Sequence, residues 1–173
     1  MQAIIYTTNT GSTQRYAQML SQATGLPAYS LTQAGAQVPD GAAIIYMGWI
    51  YMGWIAAGTV KGYAAAAGRY RARAVCAVGM GQTGAQTDTV RKKNGIPARI
   101  PLFTLQGNFD VKRLHGANRL MMDIMVKTAG KALAGKQDRT PEEDDMLDMM
   151  LRGGERVRAQ NLQAVLDWYA GQK

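Results

Sequence analysis

Four hydroxyl residues crowd one glycine near the start of the chain, in Thr8-Asn9-Thr10-Gly11-Ser12-Thr13. Residues of these types at this spacing suit one task, gripping a phosphate. A glycine turn that opens a helix turns successive backbone N–H groups, and the positive end of the helix dipole, toward an anion. The hydroxyls of Thr8, Thr10, Ser12 and Thr13 add donors of their own. The stretch holds no lysine, so it is not the nucleotide P-loop pattern, and it lacks the Gly-x-Gly-x-x-Gly spacing. An uncharged cradle of this kind fits a terminal monoester phosphate. The competing account is an ordinary helix cap, where Ser and Thr are common.

Other reactive groups are sparse. The chain has one histidine, His115, and one cysteine, Cys76. They cannot make a histidine-rich metal site or a Cys–His nucleophile pair, and no metal site is expected. Cys76 sits in Arg73-Ala-Val-Cys-Ala-Val-Gly79, an apolar run that predicts an inert thiol inside a buried strand. A lone cysteine excludes an internal disulfide and suits a reducing, cytoplasmic compartment. His115 reads as a surface residue at a helix start. The carboxylates Glu142–Asp145 also sit at a helix start, where the dipole accounts for them.

The elements that must position the phosphate turn are short and regular. Gln2–Thr7 predicts a first strand buried on both faces. Thr13–Ala23 places Tyr16, Ala17, Met19, Leu20 and Ala23 at helical spacing and ends near Gly25. Pro27–Leu31 predicts a second strand, Val38-Pro-Asp-Gly a turn and Ala42–Met47 a third strand. Val60–Arg71 reads as helix and Ala74–Val78 as a fourth strand. Thr87–Lys93 reads as helix stopped at Asn94-Gly95, and Ile100–Leu105 as a fifth strand. Strands alternating with helices predict a doubly wound, five-stranded parallel sheet of order 2-1-3-4-5, with helices on both faces. That topology puts ligands at the carboxyl ends of strands 1 and 3. The phosphate turn lies there.

Beyond Phe109 the pattern is helical. Leu114–Leu133 sets Leu114, Ala117, Leu120, Met121, Ile124, Met125 and Ala129 on one face, expected to pack into core. Lys112, Arg113, Arg119, Lys127 and Lys131 lie in and beside it, so peripheral contact with a membrane face is the competing role. Thr140-Pro141-Glu142-Glu143 is a capping box with proline at the first helical position. It opens a Met-rich helix that stops at Gly153-Gly154, and Ala159–Ala170 forms a last helix. No linker separates these parts. A single domain over 1–173 is expected, with the sheet and its cofactor loops in 1–110 and the helices of 111–173 packed on it.

At 173 residues, with 47% apolar and 18% charged side chains, the chain can bury a core. Gly41–Val60 is free of charge over twenty residues, but Gly48, Gly53 and Gly58 punctuate it, and a strand running into an apolar loop is the better account. The start of the chain lacks a basic signal-peptide region. The net charge of +8 is uneven: residues 138–148 carry six acids and Arg139, a balance of −5, so the remainder sums to +13. Such a surface favours anionic partners.

Thr8-x-Thr10-Gly11-x-Thr13, in this order of elements, resembles the FMN-phosphate loop of flavodoxins. Val75-Cys-Ala-Val-Gly-Met80, Ile100–Asp110 and Leu120-Met121-Met122 look like a bacterial flavodoxin-domain family, distantly similar to flavodoxin-type, menaquinone-dependent protoporphyrinogen oxidase. The resemblance implies FMN as cofactor, with Thr8, Asn9, Thr10, Gly11, Ser12 and Thr13 at its phosphate. It also assigns roles to two further loops. After the third strand comes the duplication Tyr46-Met-Gly-Trp-Ile50 and Tyr51-Met-Gly-Trp-Ile55, whose first copy should finish the strand and whose second should form a loop. In flavodoxins that loop touches the flavin, which puts Gly48, Trp49, Ile50, Tyr51, Met52 and Gly53 beside the ring. Flat apolar side chains suit it, and Gly48 and Gly53 would let backbone approach. After the fourth strand, Gly79, Met80, Gly81 and Gln82 would cover the other side. Flavodoxins commonly place a tyrosine there, and this chain has none, so Met80 or Gln82 would stand in. Gln106–Asp110 would border the substrate.

Flavin chemistry needs no protein nucleophile or metal, which fits the sparse reactive groups. A receiver domain shares the fold, but no acidic pair ends the first strand. Three functions stay open: an FMN-dependent oxidoreductase acting on an organic molecule such as a quinone or tetrapyrrole; a flavodoxin-style electron carrier for a protein partner; and a flavin-free basic module. The positive charge speaks against the second, since such carriers are usually acidic. The third would use Arg69–Arg73 and Arg91–Lys93 on nucleic acid or lipid, although solvated helix ends explain those runs better.

Overall fold

A computed structural model describes residues 1–51, 59–108, 120, 123–124 and 126–172. Three consecutive apolar residues open the sheet: Ala3, Ile4 and Ile5 in β1 (Ala3–Tyr6) are fully buried. β1 runs parallel to β2 (Ala28–Ser30) on one side and to β3 (Ala43–Tyr51) on the other. β5 (Arg71–Gly79) lies beyond β3, and β6 (Leu102–Gln106) beyond β5, both parallel. The path β2-β1-β3-β5-β6 is the doubly wound order expected from the sequence. A sixth strand, β4 (Thr59–Val60), turns back antiparallel on the end of β3. Its second residue, Val60, opens the stretch read as helix, where the helix starts only at Tyr63.

Alternation along the strands splits the core in two. Ile5, Ile44, Tyr46, Val75 and Ala77 face α2 (Leu31–Gln37), α3 (Tyr63–Arg69) and α4 (Thr87–Asn94). Ile4, Ile45, Met47, Cys76 and Val78 face α1 (Ser12–Thr24), which contributes Tyr16, Ala17 and Leu20. On that face α7 (Gln163–Ala170) also packs, led in by a 3-10 turn at Ala159–Leu162. Burial on both faces explains why these strands read as apolar runs rather than alternating ones.

Short helices begin and end on local signals. α1 stops at Gly25, left-handed at φ 76, whose N–H reaches Ser21 O at 2.8 Å. α4 stops at Gly95, also left-handed, with Arg91, Lys92 and Lys93 at the negative end of its dipole. α2 escaped the sequence reading: Ala34 is its only buried residue, so its periodicity is faint. Its signal was the capping box formed by Ser30 and Gln33.

The chain forms two compact units, Met1–Gly107 with Val157–Lys173, and Asn108–Arg156. In the second unit, Val126–Gly130 makes a π-helical turn that continues into α5 (Lys131–Ala134). Of the helix read over Leu114–Leu133, Leu114–Arg119, including His115, and Met121, Met122 and Met125 lie outside the described residues. Leu120 and Ile124, expected to face core, are instead 63% and 54% exposed. α6 (Pro141–Arg152) opens with the predicted Thr140–Glu143 capping box and ends at Gly153. Its acids are drawn into ion pairs as well as to the dipole: Glu143 with Lys136, Asp144 with Arg139, and Asp145 and Asp148 with Arg156. The unit's first and last residues are joined, the Arg156 N–H donating to Asn108 Oδ1 at 2.6 Å.

Among the described residues no helix is long and apolar enough to cross a membrane. The uncharged stretch from Gly41 enters β3, as a strand, through Tyr51.

Candidate functional site

β1 delivers the chain to the phosphate turn at its carboxyl end. Gly11 holds φ 94, and a β-carbon there would meet nothing within 4 Å, so the left-handed backbone alone demands glycine. The turn is closed by the Gly11 N–H, which donates to Thr8 Oγ1 at 3.1 Å. Thr8 accepts in that bond, which leaves its hydroxyl able to donate as well. The first ladder bond of α1 runs from the Arg15 N–H to Gly11 O at 3.0 Å. Earlier amides such as those of Thr13 and Gln14 therefore stand outside the ladder. No side chain caps this end. The side-chain cap that Ser and Thr often supply is therefore not formed at Gly11. Ser12 and Thr13 are buried, Thr8 and Thr10 half-buried, and Asn9 exposed.

Two further strand ends converge on this turn. The Gly107 N–H donates to Gly79 O at 2.7 Å, joining the exits of β6 and β5. A β-carbon at Gly107 would lie 2.9 Å from Val78 Cγ1 and 3.4 Å from Ser12 Cβ, so this glycine lets the β6 exit close on the start of α1. Tyr16, one turn into α1, donates its hydroxyl to Gln106 O at 2.5 Å and accepts from Asn161 Nδ2 at 2.6 Å. Burial pushes its phenol up against the opposing pull of Asn161, the Arg158 backbone and the Arg15 charge, so it stays protonated.

The segment after β5 is laid down on β6 by threonines. The Gly84 N–H reaches Thr104 O at 3.0 Å, the Gln106 N–H reaches Thr83 Oγ1 at 3.1 Å, and buried Thr104 donates to Ala85 O at 2.7 Å. The turn closes on Gln86 at φ 58, the one non-glycine residue in a left-handed conformation among the described residues. Gly79, Met80, Gly81 and Gln82 are left half-buried at the carboxyl edge, outside the core as expected.

Residues 3–134 match the family model described as flavodoxin domain. The chain belongs to the flavodoxin-domain family. No curated protein and no solved structure matches it. Flavodoxin domains as a family bind FMN. The family match spans the whole parallel sheet and runs into the second unit.

In this flavodoxin domain the aromatic segment starts later than the sequence reading put it. Gly48, Trp49, Ile50 and Tyr51 are part of β3, and Ile50 and Tyr51 pair with Val60 and Thr59 of β4. The first copy of the duplication does finish the strand; Met52 and Gly53 lie outside the described residues. The space on the β-carbon side of Gly48 is already filled. A β-carbon there would fall 2.6 Å from Val60 Cγ1 and 2.7 Å from Lys61 O, so its missing side chain makes room for β4. Ile50 packs toward Gly79, whose β-carbon would come 2.9 Å from Ile50 Cδ1. Trp49 is half-buried at the strand end.

The sequence reading also passed over residues that hold the site's frame. Thr7 Oγ1 lies 3.0 Å from Tyr46 Oη and donates to Lys61 O at 2.7 Å, and the Tyr46 hydroxyl donates to the same carbonyl. Burial pushes the Tyr46 phenol up to about 12, leaving it a neutral donor. The available signal was a tyrosine within an otherwise apolar strand, since a buried phenol must find a partner. Cys76, fully buried, has its thiol pushed up to about 12 by the same cause.

Proposed function

We propose that this chain binds FMN at the carboxyl edge of β1, β3 and β5 and works as an oxidoreductase exchanging electrons or hydride with a small organic molecule, a quinone or tetrapyrrole among the candidates. One observation carries the proposal. A long helix begins at a left-handed glycine with no side-chain cap, ringed by Thr8, Thr10, Ser12 and Thr13, at the point where the strand order reverses. Uncapped amides and hydroxyls are the donor set a terminal phosphate needs, and FMN, which flavodoxin domains as a family bind, carries such a phosphate. When bound, FMN would supply the redox chemistry. The protein's part is to hold it and exclude competing reactions. Gly79–Gln82 and the end of β3 at Trp49 flank the place where the ring would lie.

The test is replacement of Thr10 and Thr13 by valine. Losing two hydroxyl donors to a charged group should weaken FMN binding by about 100-fold or more, at roughly 1.5 kcal/mol each. Unchanged affinity would remove the proposal. Colourless purified protein that ignores added FMN would do the same. Turnover with NAD(P)H together with quinones or porphyrinogens separates an enzyme from an electron carrier. The net charge of +8 favours the enzyme. Exposed Leu120 and Ile124 near exposed Lys127 and Lys131 support peripheral contact with an anionic membrane, read by vesicle flotation that salt abolishes.

A further inference from the structure

We infer that Thr7 and Tyr46 are positioning residues for the phosphate end of the cofactor site, setting the lip of the Thr8–Thr13 turn by anchoring it to the carbonyl of Lys61. The inference rests on the FMN reading and adds to it a pair of side chains that would never touch the cofactor.

Five positions distant in sequence build one point. The last ladder bond of β1 is the Thr7 N–H to Met47 O at 2.9 Å. Past it, the chain enters the turn with no sheet partner, and Thr7's side chain takes over. Its hydroxyl donates to Lys61 O at 2.7 Å and lies 3.0 Å from the Tyr46 hydroxyl, which reaches the same oxygen. Two glycines keep that oxygen reachable. A β-carbon on Gly48 would stand 2.7 Å from it, and one on Gly62 would stand 2.3 Å from Tyr46 Oη and 2.7 Å from Thr7 Cγ2. Tyr46 itself is fully buried, its ring 6.2 Å from that of Tyr63, so the phenol cannot swing away.

The asymmetry of the anchoring gives this point a task beyond stability. The β3–β4 hairpin keeps its own register through Ile50–Val60, Tyr51–Thr59 and the Lys61 N–H to Trp49 O at 3.0 Å. It needs neither hydroxyl. On the Thr7 side, the phosphate turn is held past the Met47 bond by this hydroxyl contact. Loosening the triangle should therefore displace the turn and leave the ring-flanking segments in place.

Wild type, Tyr46→Phe, Thr7→Val and Thr7→Ser are titrated with FMN and with riboflavin, which shares the ring and lacks the phosphate. Tyr46→Phe and Thr7→Val should each raise the FMN dissociation constant about fivefold to tenfold while moving that of riboflavin by less than about twofold. Thr7→Ser keeps a hydroxyl and should restore FMN binding. Parallel losses for both ligands would mean a merely structural role and overturn the inference. So would unchanged FMN affinity in both variants. Wild type that binds neither flavin would instead bring down the FMN reading itself, and the inference with it. Thr7→Val nearly keeps the side chain's shape at a half-buried position, so it decides the matter even where Tyr46→Phe fails to fold.

Discussion

Two glycines with nearly the same backbone separate the cost of conformation from the cost of contact. Gly25 has φ 76 and Gly62 has φ 80. A β-carbon on Gly25 would meet nothing within 4 Å, whereas one on Gly62 would run into Tyr46 Oη at 2.3 Å, Thr7 Cγ2 at 2.7 Å and Leu31 Cδ2 at 3.0 Å. Gly25→Ala should therefore cost only the left-handed penalty, about 1–2 kcal/mol. Gly62→Ala carries the same penalty, roughly 1–3 kcal/mol of overpacking, and about 1 kcal/mol for the strained hydroxyl triangle. Its total is about 3–6 kcal/mol. The obstacle is not a side chain that can step aside, because Tyr46 is fully buried and hydrogen-bonded to Lys61 O. Urea unfolding followed by tryptophan emission is the assay. Trp49 and Trp168 both belong to the sheet unit, so the signal follows that unit's unfolding. With equal m-values, Gly62→Ala should lose at least about 2 kcal/mol more than Gly25→Ala. A gap smaller than about 0.5 kcal/mol would refute the packing described around Lys61.

The other predictions concern titration and capping. Cys76 keeps its proton when folded up to about 12 and releases it when unfolded from its ordinary 9.0, so its contribution to stability should decline as pH rises through that window. Native protein at about pH 8 should resist a thiol reagent that modifies the urea-unfolded chain fully, and rapid native labelling would contradict the burial. In the second unit, Thr140→Ala removes the cap from α6 and should cost about 1 kcal/mol, seen as lost helical ellipticity on heating. The hydrogen bond from Lys136 holds the Glu143 carboxyl below its usual range, so its support is present at neutral pH and lost on acidification through that lowered value.

Much of the frame was legible because it rests on local signals. Ile4, Ile5, Ile44, Ile45 and Val75–Val78 are apolar runs bounded by turns, and each became a strand buried on both faces. Thr140-Pro141-Glu142-Glu143 and Asn94-Gly95 marked a helix start and stop where they stand. α2 was missed because a seven-residue helix with Ala34 as its only buried residue has almost no hydrophobic period. β4 was missed because two residues, Thr59 and Val60, gain strand character only from the partner that β3 offers them.

The site divides along the same line. Sequence alone determined that a hydroxyl-rich glycine turn follows a buried strand and opens a helix, since chain order and residue type suffice for that. Only the folded chain decided that Gly48 makes room for Val60 and Lys61, and that Thr7, Tyr46 and Lys61 meet. Those contacts join residues up to 54 apart. Periodicity and capping act over one or two turns of chain and carry no information about which distant strand end a side chain will meet.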